Sequence, residues 1–470
     1  MINKRKGGFQ PPFEIIGIKG YNMQRIQKNQ KFTVDIIDTN NLGYGVCKID
    51  NFAVFVKNGV EGDRCNIKII KLLKNYAIAV CEELIKPSPY RITPVCPYKR
   101  CGGCVFQHVS FEYENLLKKR YIESSLKKAG ITDVTVSDTL YADNKDTAYR
   151  NKAQYPLSLD KDGNIKAGFY AQHTHDVIPC DSCAIAPSVF SDIVKTLTDF
   201  FTKEHFSVYN EETCKGLLRH IYLRIAEMTG EIMVCIVING DEIPHKNELV
   251  SLITTQFPNV RTVCLNVNKK ETNVVLSDKN IVIYGDGYIE DVLCGKHFRI
   301  SPLSFYQVNR SCAELLYNTA KKLLGKDYKK VLDLYCGVGT VGICVASDSE
   351  KLIGVEIVPE AIEDAKKNAL LNSLDNCEFY CADASDIAKL TPKCDSIIVD
   401  PPRKGITKAV IEFIADASPK NVVYISCDPD TLIRDIAVFA EYGYKTDKIT
   451  PVNMFPRTSH VESVVCLTRR

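Results

Sequence analysis

No run of apolar residues in this 470-residue chain approaches the length of a membrane span. The opening, "MINKRKGGFQPPFEI", lacks the apolar core of a secretory signal. These absences predict a cytoplasmic protein with no membrane partner. An excess of either charge is missing as well: 60 Lys and Arg against 57 Asp and Glu leave a formal charge of +3. The whole chain is therefore no polycation, and any attraction to nucleic acid has to be local. In a reducing compartment its 20 cysteines do not imply ten disulfides. They imply buried thiols, with a few serving as ligands or nucleophiles.

What is present fits a soluble globular protein, with 45% hydrophobic and 25% charged residues. The length allows roughly three domains at about 150 residues each. Basic residues gather early, at Lys4, Arg5, Lys6, Lys19, Arg25 and Lys28 against the single acid Glu14. That pattern marks residues 1–23 as a basic tail, equally suited to solvent or to phosphates. From Lys31 to Leu84, "KFTVDIID", "FAVFVKN", "CNIKIIKLL" and "YAIAVCEEL" alternate like strands between turns. Four or five such strands predict a small closed barrel, with Lys48, Lys57, Arg64, Lys68, Lys71 and Lys74 supplying positive charge. "LGYGV" followed by "VFVKNGVEGD" resembles the TRAM domain, which implies an RNA-binding barrel over residues 24–86.

The carboxy-terminal third carries a different pattern. "KKVLDLYCGVGTVGICVA" reads as a buried strand, a glycine turn and a helix, with Gly337, Gly339 and Gly342 in the G-x-G-x-x-G spacing of a nucleotide-like ligand site. "KLIGVEI" ends a second strand at Glu356, placed to accept ribose hydroxyls. "CEFYCAD", "CDSIIVD" and "NVVYISC" follow, separated by helices. This alternation predicts a doubly wound parallel sheet whose ligands lie beyond the strand carboxyl ends. Two of those ends are "DPPRKG", with Asp400 and an arginine, and "YISCDPDTLIRD", with Cys427. A hydride-transferring enzyme has no evident use for either. A methyltransferase acting on a pyrimidine carbon uses both.

Seven motifs run in order from residue 96 to 465: "CPYKRCGGCVFQH", "YRNKAQYPL", "FYQVN", "DLYCGVG", "DPPRKG", "YISCDP" and "FPRTSHVESV". With them the chain resembles the RNA (uracil-5-)-methyltransferase family that carries an iron-sulfur cluster, in particular its bacterial 23S ribosomal RNA branch. The resemblance implies S-adenosylmethionine as cofactor, held by Gln307, Tyr335, Glu356 and Asp400, with Asp383 meeting the adenine amine. It implies Cys427 as the nucleophile that adds to carbon 6 of uracil and Glu462, from "HVES", as the general base. Cys427 precedes "DPDT", a helix-capping sequence, and the positive end of that helix is expected to lower its thiol pKa. Glu462 has no such local signal, and its setting in "VES" reads equally as a solvent-facing position on an edge strand. Thr340 stands where many relatives have asparagine, so no cofactor contact is assigned to it.

The remaining cysteine question is what Cys96, Cys101 and Cys104 hold. "CGGC" and "CDSC", residues 180 to 183, make two C-x-x-C pairs that suit a zinc site of four thiolates. Three clustered cysteines with one distant partner suit a 4Fe-4S cluster. The resemblance selects the cluster, on Cys96, Cys101, Cys104 and Cys183, and leaves Cys180 as the spare. Cys336, Cys344, Cys377, Cys381, Cys394 and Cys466 read as core or incidental thiols.

The expected architecture is a multidomain α/β protein: the small amino-terminal β-barrel, a central α+β domain over 87–300 with the cysteine site, and a Rossmann-like methyltransferase domain over 301–470. A monomer acting on 23S ribosomal RNA is expected. The rivals are a transfer RNA (uracil-5-)-methyltransferase and a non-catalytic RNA-binding protein with a vestigial nucleotide fold. Retention of both Cys427 and Glu462 speaks against the last.

Overall fold

The computed structural model describes residues 26–142, 146–172, 174–384 and 393–469; the expected basic tail lies outside them. The chain parts into two compact units between Ile92 and Thr93.

The first unit holds β1 (Lys31–Asp35), β2 (Asp38–Thr39), β3 (Tyr44–Ile49), β4 (Phe52–Lys57), β5 (Arg64–Leu72) and β6 (Tyr76–Lys86), in sheet order β1-β5-β6-β4-β3-β2. β1 and β2 are the two halves of one bent strand, pairing with β5 at one end and β3 at the other, so the sheet closes on itself. Alternating residues fill the interior, among them Val54, Val56, Cys65, Ile67, Ile69 and Ala77. Lys48, Lys57, Lys71 and Lys74 face solvent, whereas Arg64 and Lys68 are tied to Asp35 and Glu82. Buried Asp63 accepts the backbone N–H groups of Val60 and Ser88 and pairs with Arg91, which fixes the chain as it leaves the barrel.

The second unit opens with α1 (Phe111–Lys128) and β7 (Thr135–Val136). A central sheet follows: β8 (Lys152–Leu159), β9 (Ile165–Tyr170), β10 (Val177–Pro179), β11 (Leu218–Ile225), β12 (Ile232–Ile238), β13 (Val260–Val267) and β14 (Asn280–Tyr284), with α2 (Ser188–Lys203) and α3 (Lys246–Gln256) on one side. Its order is β10-β9-β8-β11-β12-β13-β14; β12 and β13 run parallel and the other pairs antiparallel. Ile221, Leu223, Val234 and Ile236 pack with Phe190, Leu197 and Leu249 of those helices. By the two-residue period of a strand, Tyr222, Met233 and Cys235 turn to the other face, where they share a core with Tyr306 and Leu316.

A hairpin, β15 (Ile289–Leu293) and β16 (Lys296–Ile300), leads to the last fold. This comprises α4 (Arg310–Leu324), β17 (Lys330–Leu334), α5 (Thr340–Ala346), β18 (Lys351–Glu356), α6 (Pro359–Leu371), β19 (Cys377–Cys381), β20 (Ser396–Val399), α7 (Lys408–Ala417), β21 (Asn421–Ser426), α8 (Pro429–Glu441), β22 (Tyr444–Lys445), β23 (Lys448–Val452) and β24 (Glu462–Arg469). The sheet order is β19-β18-β17-β20-β21-β24-β23-β7, with β22 paired to β24. β17 to β21 are parallel, and their apolar stretches are buried because helices cover both faces. The order reverses between β17 and β20, which opens a crevice at their carboxyl ends. β7 pairs with β23, and Tyr121 and Ser125 of α1 donate to Asp430 at the start of α8, so residues 111–136 join this sheet although the central sheet follows them in sequence. Among the described residues no helix is long and apolar enough to cross a membrane.

Candidate active site

The crevice is built from strand ends. Leu334 of β17 is in register with Val355 of β18 and Val399 of β20, so the next residues, Tyr335, Glu356 and Asp400, emerge side by side. Tyr335 takes a left-handed backbone, φ 65°, as the chain turns out of the sheet. Buried Asp333 anchors the glycine turn: its Oδ2 accepts the Gly342 N–H at 2.8 Å, and a Cβ at Gly342 would lie 2.7 Å from that oxygen. Asp333, absent from the residues picked out by sequence, is pushed up to about 8 by burial. Its only signal was its position as the acid of "DLYCGVG".

Glu356 turns back over the glycine loop. Its Oε2 accepts from Gly337 N at 3.2 Å and its Oε1 from Ile357 N and Val358 N. A carboxylate has about four acceptor positions, so one remains for a ligand hydroxyl. Asp383, just beyond β19, is exposed and within electrostatic reach of Tyr335. Gln307 is buried, and its carbonyl accepts from Asn151 Nδ2 at 2.9 Å, which ties the cofactor segment to the central sheet. Glu356, Asp383 and Asp400 make this an acid-lined pocket. Such a pocket repels a pyrophosphate and suits a cationic sulfonium, so the residues fit S-adenosylmethionine.

The candidate catalytic pair comes from antiparallel strands. Ser426 of β21 is in register with Ser463 of β24, so Cys427, one step on, faces Glu462, one step back. Glu462 also pairs with Val452 of β23. It therefore lies on an interior strand, 3% exposed, rather than on a solvent-facing edge. Burial, then Asp400, push its carboxyl up to about 8, with Arg403 opposing. Burial alone pushes Asp400 up to about 7.

Cys427 departs from the expectation of a lowered thiol pKa. Burial, followed by Glu462 and Asp400, pushes it up to about 11 against the weaker pull of Arg403. The reason is local as well as tertiary. The helix end that was to favour a thiolate is already capped by Asp428, whose Oδ1 accepts from Thr431 N at 3.0 Å. Arg403, the arginine of "DPPRKG", and His460, which was not picked out, complete the site. Arg403 Nη2 lies 3.4 Å from His460 Nε2, and burial followed by Arg403 pushes His460 down to about 4, leaving it neutral. Both were visible only as companions of Asp400 and Glu462 within "DPPRKG" and "HVES".

The cysteine motif packs against the end of β9. Gly102 N donates to Tyr170 O at 3.1 Å, and a Cβ at Gly102 would stand 3.1 Å from Gln172 Cα. Asp181 N donates to Tyr98 Oη at 2.9 Å, joining "CPYK" to "CDSC". Burial pushes the Cys104 thiol up to about 12, and Cys183, Cys101 and Cys96 push it the same way. Cys183 is raised by burial and by Cys101 and Cys96. Cys180 Sγ donates to Ser182 O at 3.2 Å. The thiols thus share an environment, yet among the described residues no group of three or more metal-ligating side chains stands in a metal-holding arrangement. Immediately after the motif, Val105 N and Phe106 N donate to Arg457 O at 2.9 and 3.1 Å, and Tyr149 Oη donates to Pro456 O at 2.9 Å. Arg457 leads directly to the segment that carries His460 and Glu462.

The family described as tRNA (Uracil-5-)-methyltransferase matches residues 112–470, and the TRAM domain matches residues 25–81. A protein described as an uncharacterised RNA methyltransferase from Bacillus cereus is 42% identical over 451 residues, covering 94% of this chain and 98% of its own. Another from Clostridium acetobutylicum is 40% identical over 453 residues, covering 94% and 98%. Among solved structures, the tRNA (uracil-54, C5)-methyltransferase of Pyrococcus abyssi in complex with S-adenosyl-L-homocysteine is similar at a TM-score of 0.75 and 26% identity, covering 93% of this chain and 99% of its own. By sequence over most of its length, by its fold and by its amino-terminal TRAM domain, the chain belongs to the RNA (uracil-5-)-methyltransferase family.

Proposed function

We propose that this protein methylates carbon 5 of a uridine in 23S ribosomal RNA through a covalent bond between Cys427 and carbon 6 of the base. The observation that carries the reading is the pairing of β21 with β24, which sets a cysteine and a buried carboxyl opposite each other beside Asp400. Carbon 5 of uracil is too poor a nucleophile to attack a methyl sulfonium unaided. Cys427 Sγ bonds to carbon 6, its proton passing to a neighbouring carboxylate, and carbon 5 gains the electron density of an enolate. S-adenosylmethionine supplies the methyl group, the sulfur–methyl bond breaking as the carbon 5–methyl bond forms. Glu462 then accepts the carbon 5 proton, the carbon 6–sulfur bond breaks, and the thiolate leaves. A carboxyl raised toward neutrality suits that exchange, because it takes and returns a proton near the working pH. Gln307, Tyr335, Glu356, Asp383 and Asp400 hold the cofactor in this reading.

In this reading Cys96, Cys101, Cys104 and Cys183 would hold a 4Fe-4S cluster, which would supply a covalent tie between the two motifs. Support comes from Cys183 being the strongest thiol influence on Cys104, while Cys180 is turned to Ser182. Cys101, Cys104 and Cys183, thiols raised by burial, ionise only with a cation to offset them. Through the hydrogen bonds from Val105 and Phe106 to Arg457, such a cluster would have a structural role, bracing the segment that ends at Glu462.

A second reading, the same chemistry on transfer RNA, is favoured by the name of the matching family and by the Pyrococcus abyssi neighbour. Mapping 5-methyluridine in ribosomal and transfer RNA from a deletion strain separates the two. For the chemistry, 5-fluorouridine RNA should trap the wild-type protein, because fluorine does not leave as a proton. Glu462→Gln should accumulate a protein–RNA band carrying labelled methyl, and Cys427→Ala should form none. Turnover by Cys427→Ala would overturn the mechanism.

A further inference from the structure

One group of side chains is left unused by this chemistry. Lys152 on β8 and Arg224 on β11 are register partners, so two cations stand directly across from each other on adjacent strands. Like charges in that position are destabilising. Arg224 is fully buried, 0% exposed. Its Nη1 donates to Ser304 O at 2.9 Å and its guanidinium stands 5.8 Å from the Tyr222 ring centroid, while its Nε and Nη2 have no hydrogen-bond partner among the described residues. Arg150, from the same "YRNK" stretch, is half-buried and donates from Nε to Lys152 O at 3.0 Å. The influences on Lys152 are burial, Arg224 and Arg150, all pushing it down, to about 7; no carboxylate offsets them. Asn151 lies between, with its Oδ1 buried and unpartnered. Holding cations together without an acid is destabilising, and a neutral apolar residue would serve packing better.

The group has a definite position. Arg224 and Tyr222 share a strand face, and Tyr222 packs with Tyr306, so that face is turned toward the cofactor fold. Asn151 and Arg224 grip the segment Ser304–Gln307. On the other side, Arg150 is among the charges acting on His460, which neighbours Arg403, which acts on Cys427 and Glu462. Arg150 and Arg403 therefore both lie within electrostatic reach of His460, which connects this group to Cys427 and Glu462.

We propose that Arg150, Lys152 and Arg224 form an oxyanion site that takes a backbone phosphate of the RNA next to the base presented to Cys427. The proposal rests on the reading of this protein as an RNA methyltransferase. Lys152 and Arg150, both partly exposed, meet the phosphate, and Arg224 beneath them adds the charge that a single lysine lacks. The same oxyanion chemistry fits the carboxylate of the cofactor's amino-acid end. The phosphate is favoured because Arg150 acts on His460, which neighbours Arg403 beside Cys427, the residue to which the base is presented.

The test uses full-length protein, with Lys152→Met, Arg150→Gln and Arg224→Met as variants. RNA affinity is measured by filter binding across potassium chloride concentrations, with RNA from a strain lacking the enzyme, and S-adenosylmethionine affinity by calorimetry. Losing one phosphate contact should reduce the salt slope by about 0.7, so that affinity lost between 50 and 200 mM salt shrinks about 2.5-fold. Cofactor affinity should not change in Lys152→Met and Arg150→Gln, and Arg224→Met should melt no lower than wild type. Unchanged salt slopes in all three variants would overturn the proposal. Weakened cofactor binding with an unchanged slope would do the same and assign the site to the carboxylate. If Arg224→Met does not fold, partly exposed Lys152→Met decides alone. Failure of 5-fluorouridine to trap the wild-type protein would sink the methylation chemistry while leaving these slopes to be read on their own.

Discussion

Replacing Glu462 with glutamine should stabilise the protein, and should do so only in neutral and alkaline solution. The carboxyl is buried on an interior strand with Asp400 beside it, and it is raised from the ordinary 4.5 to about 8. At about 1.4 kcal/mol for each tenfold, the folded state holds this proton more tightly than the unfolded chain by about 5 kcal/mol. The sign follows from proton counting. Between pH 4.5 and 8 the folded protein binds more protons at this site than the unfolded one, so its stability falls as pH rises through that window. A glutamine of the same shape carries no charge and escapes the loss. At pH 5 the two proteins should melt together. At pH 8.5 the variant should melt several degrees higher, about 5 kcal/mol being the upper bound because Asp400 shares the repulsion. Scanning fluorimetry of both proteins from pH 5 to 9 reads the difference directly. A gap that stays constant, or that closes as pH rises, would refute a buried, proton-holding Glu462 and with it the account of the base.

Asp400→Asn removes a charge that raises Cys427, so alkylation of Cys427 by iodoacetamide, followed on its own peptide by mass spectrometry, should reach half-maximal rate at lower pH than in wild type; an unmoved profile would place Asp400 away from the thiol. Protein purified without oxygen should be brown and carry about four irons per chain, and Cys104→Ser should lose them; one zinc and no iron would instead select the four-thiolate zinc site. Removing residues 1–84 should weaken RNA binding and flatten its salt dependence while leaving S-adenosylmethionine affinity unchanged, because Lys48, Lys57, Lys71 and Lys74 face solvent on the barrel. An equal salt slope after truncation would show that these lysines read no phosphate.

Much of the candidate cofactor site was legible because it is made of strand ends. A parallel strand announces itself as a short apolar run, and the residue after it must emerge at the sheet's carboxyl edge. Tyr335, Glu356 and Asp400 could therefore be placed from sequence before any pairing was known, and the structure sets them side by side. The barrel was legible for a similar reason, its alternation and turns lying within one short stretch. Its closure was expected from four or five strands and is achieved by six, because one bend divides the first strand in two.

What the amino-acid order determined by itself was thus the local part: the alternation of strands and helices, the residues at their ends and the two groups of cysteines. Tertiary structure alone decided the protonation and the partnerships. Cys427 was expected to be acidified by the helix after it, yet burial and two carboxylates from β20 and β24 outweigh a helix end that Asp428 already caps. Glu462 reads as an unremarkable strand residue until β21 and β23 enclose it. The bonds from Val105 and Phe106, just after "CGGC", to Arg457, the pairing of β7 with β23 and the facing of Lys152 with Arg224 each join segments far apart in the chain. Which strands pair, and in which register, is set by how whole faces bury against one another. Desolvation and charge then act through space across those pairings, where a reading along the chain does not reach.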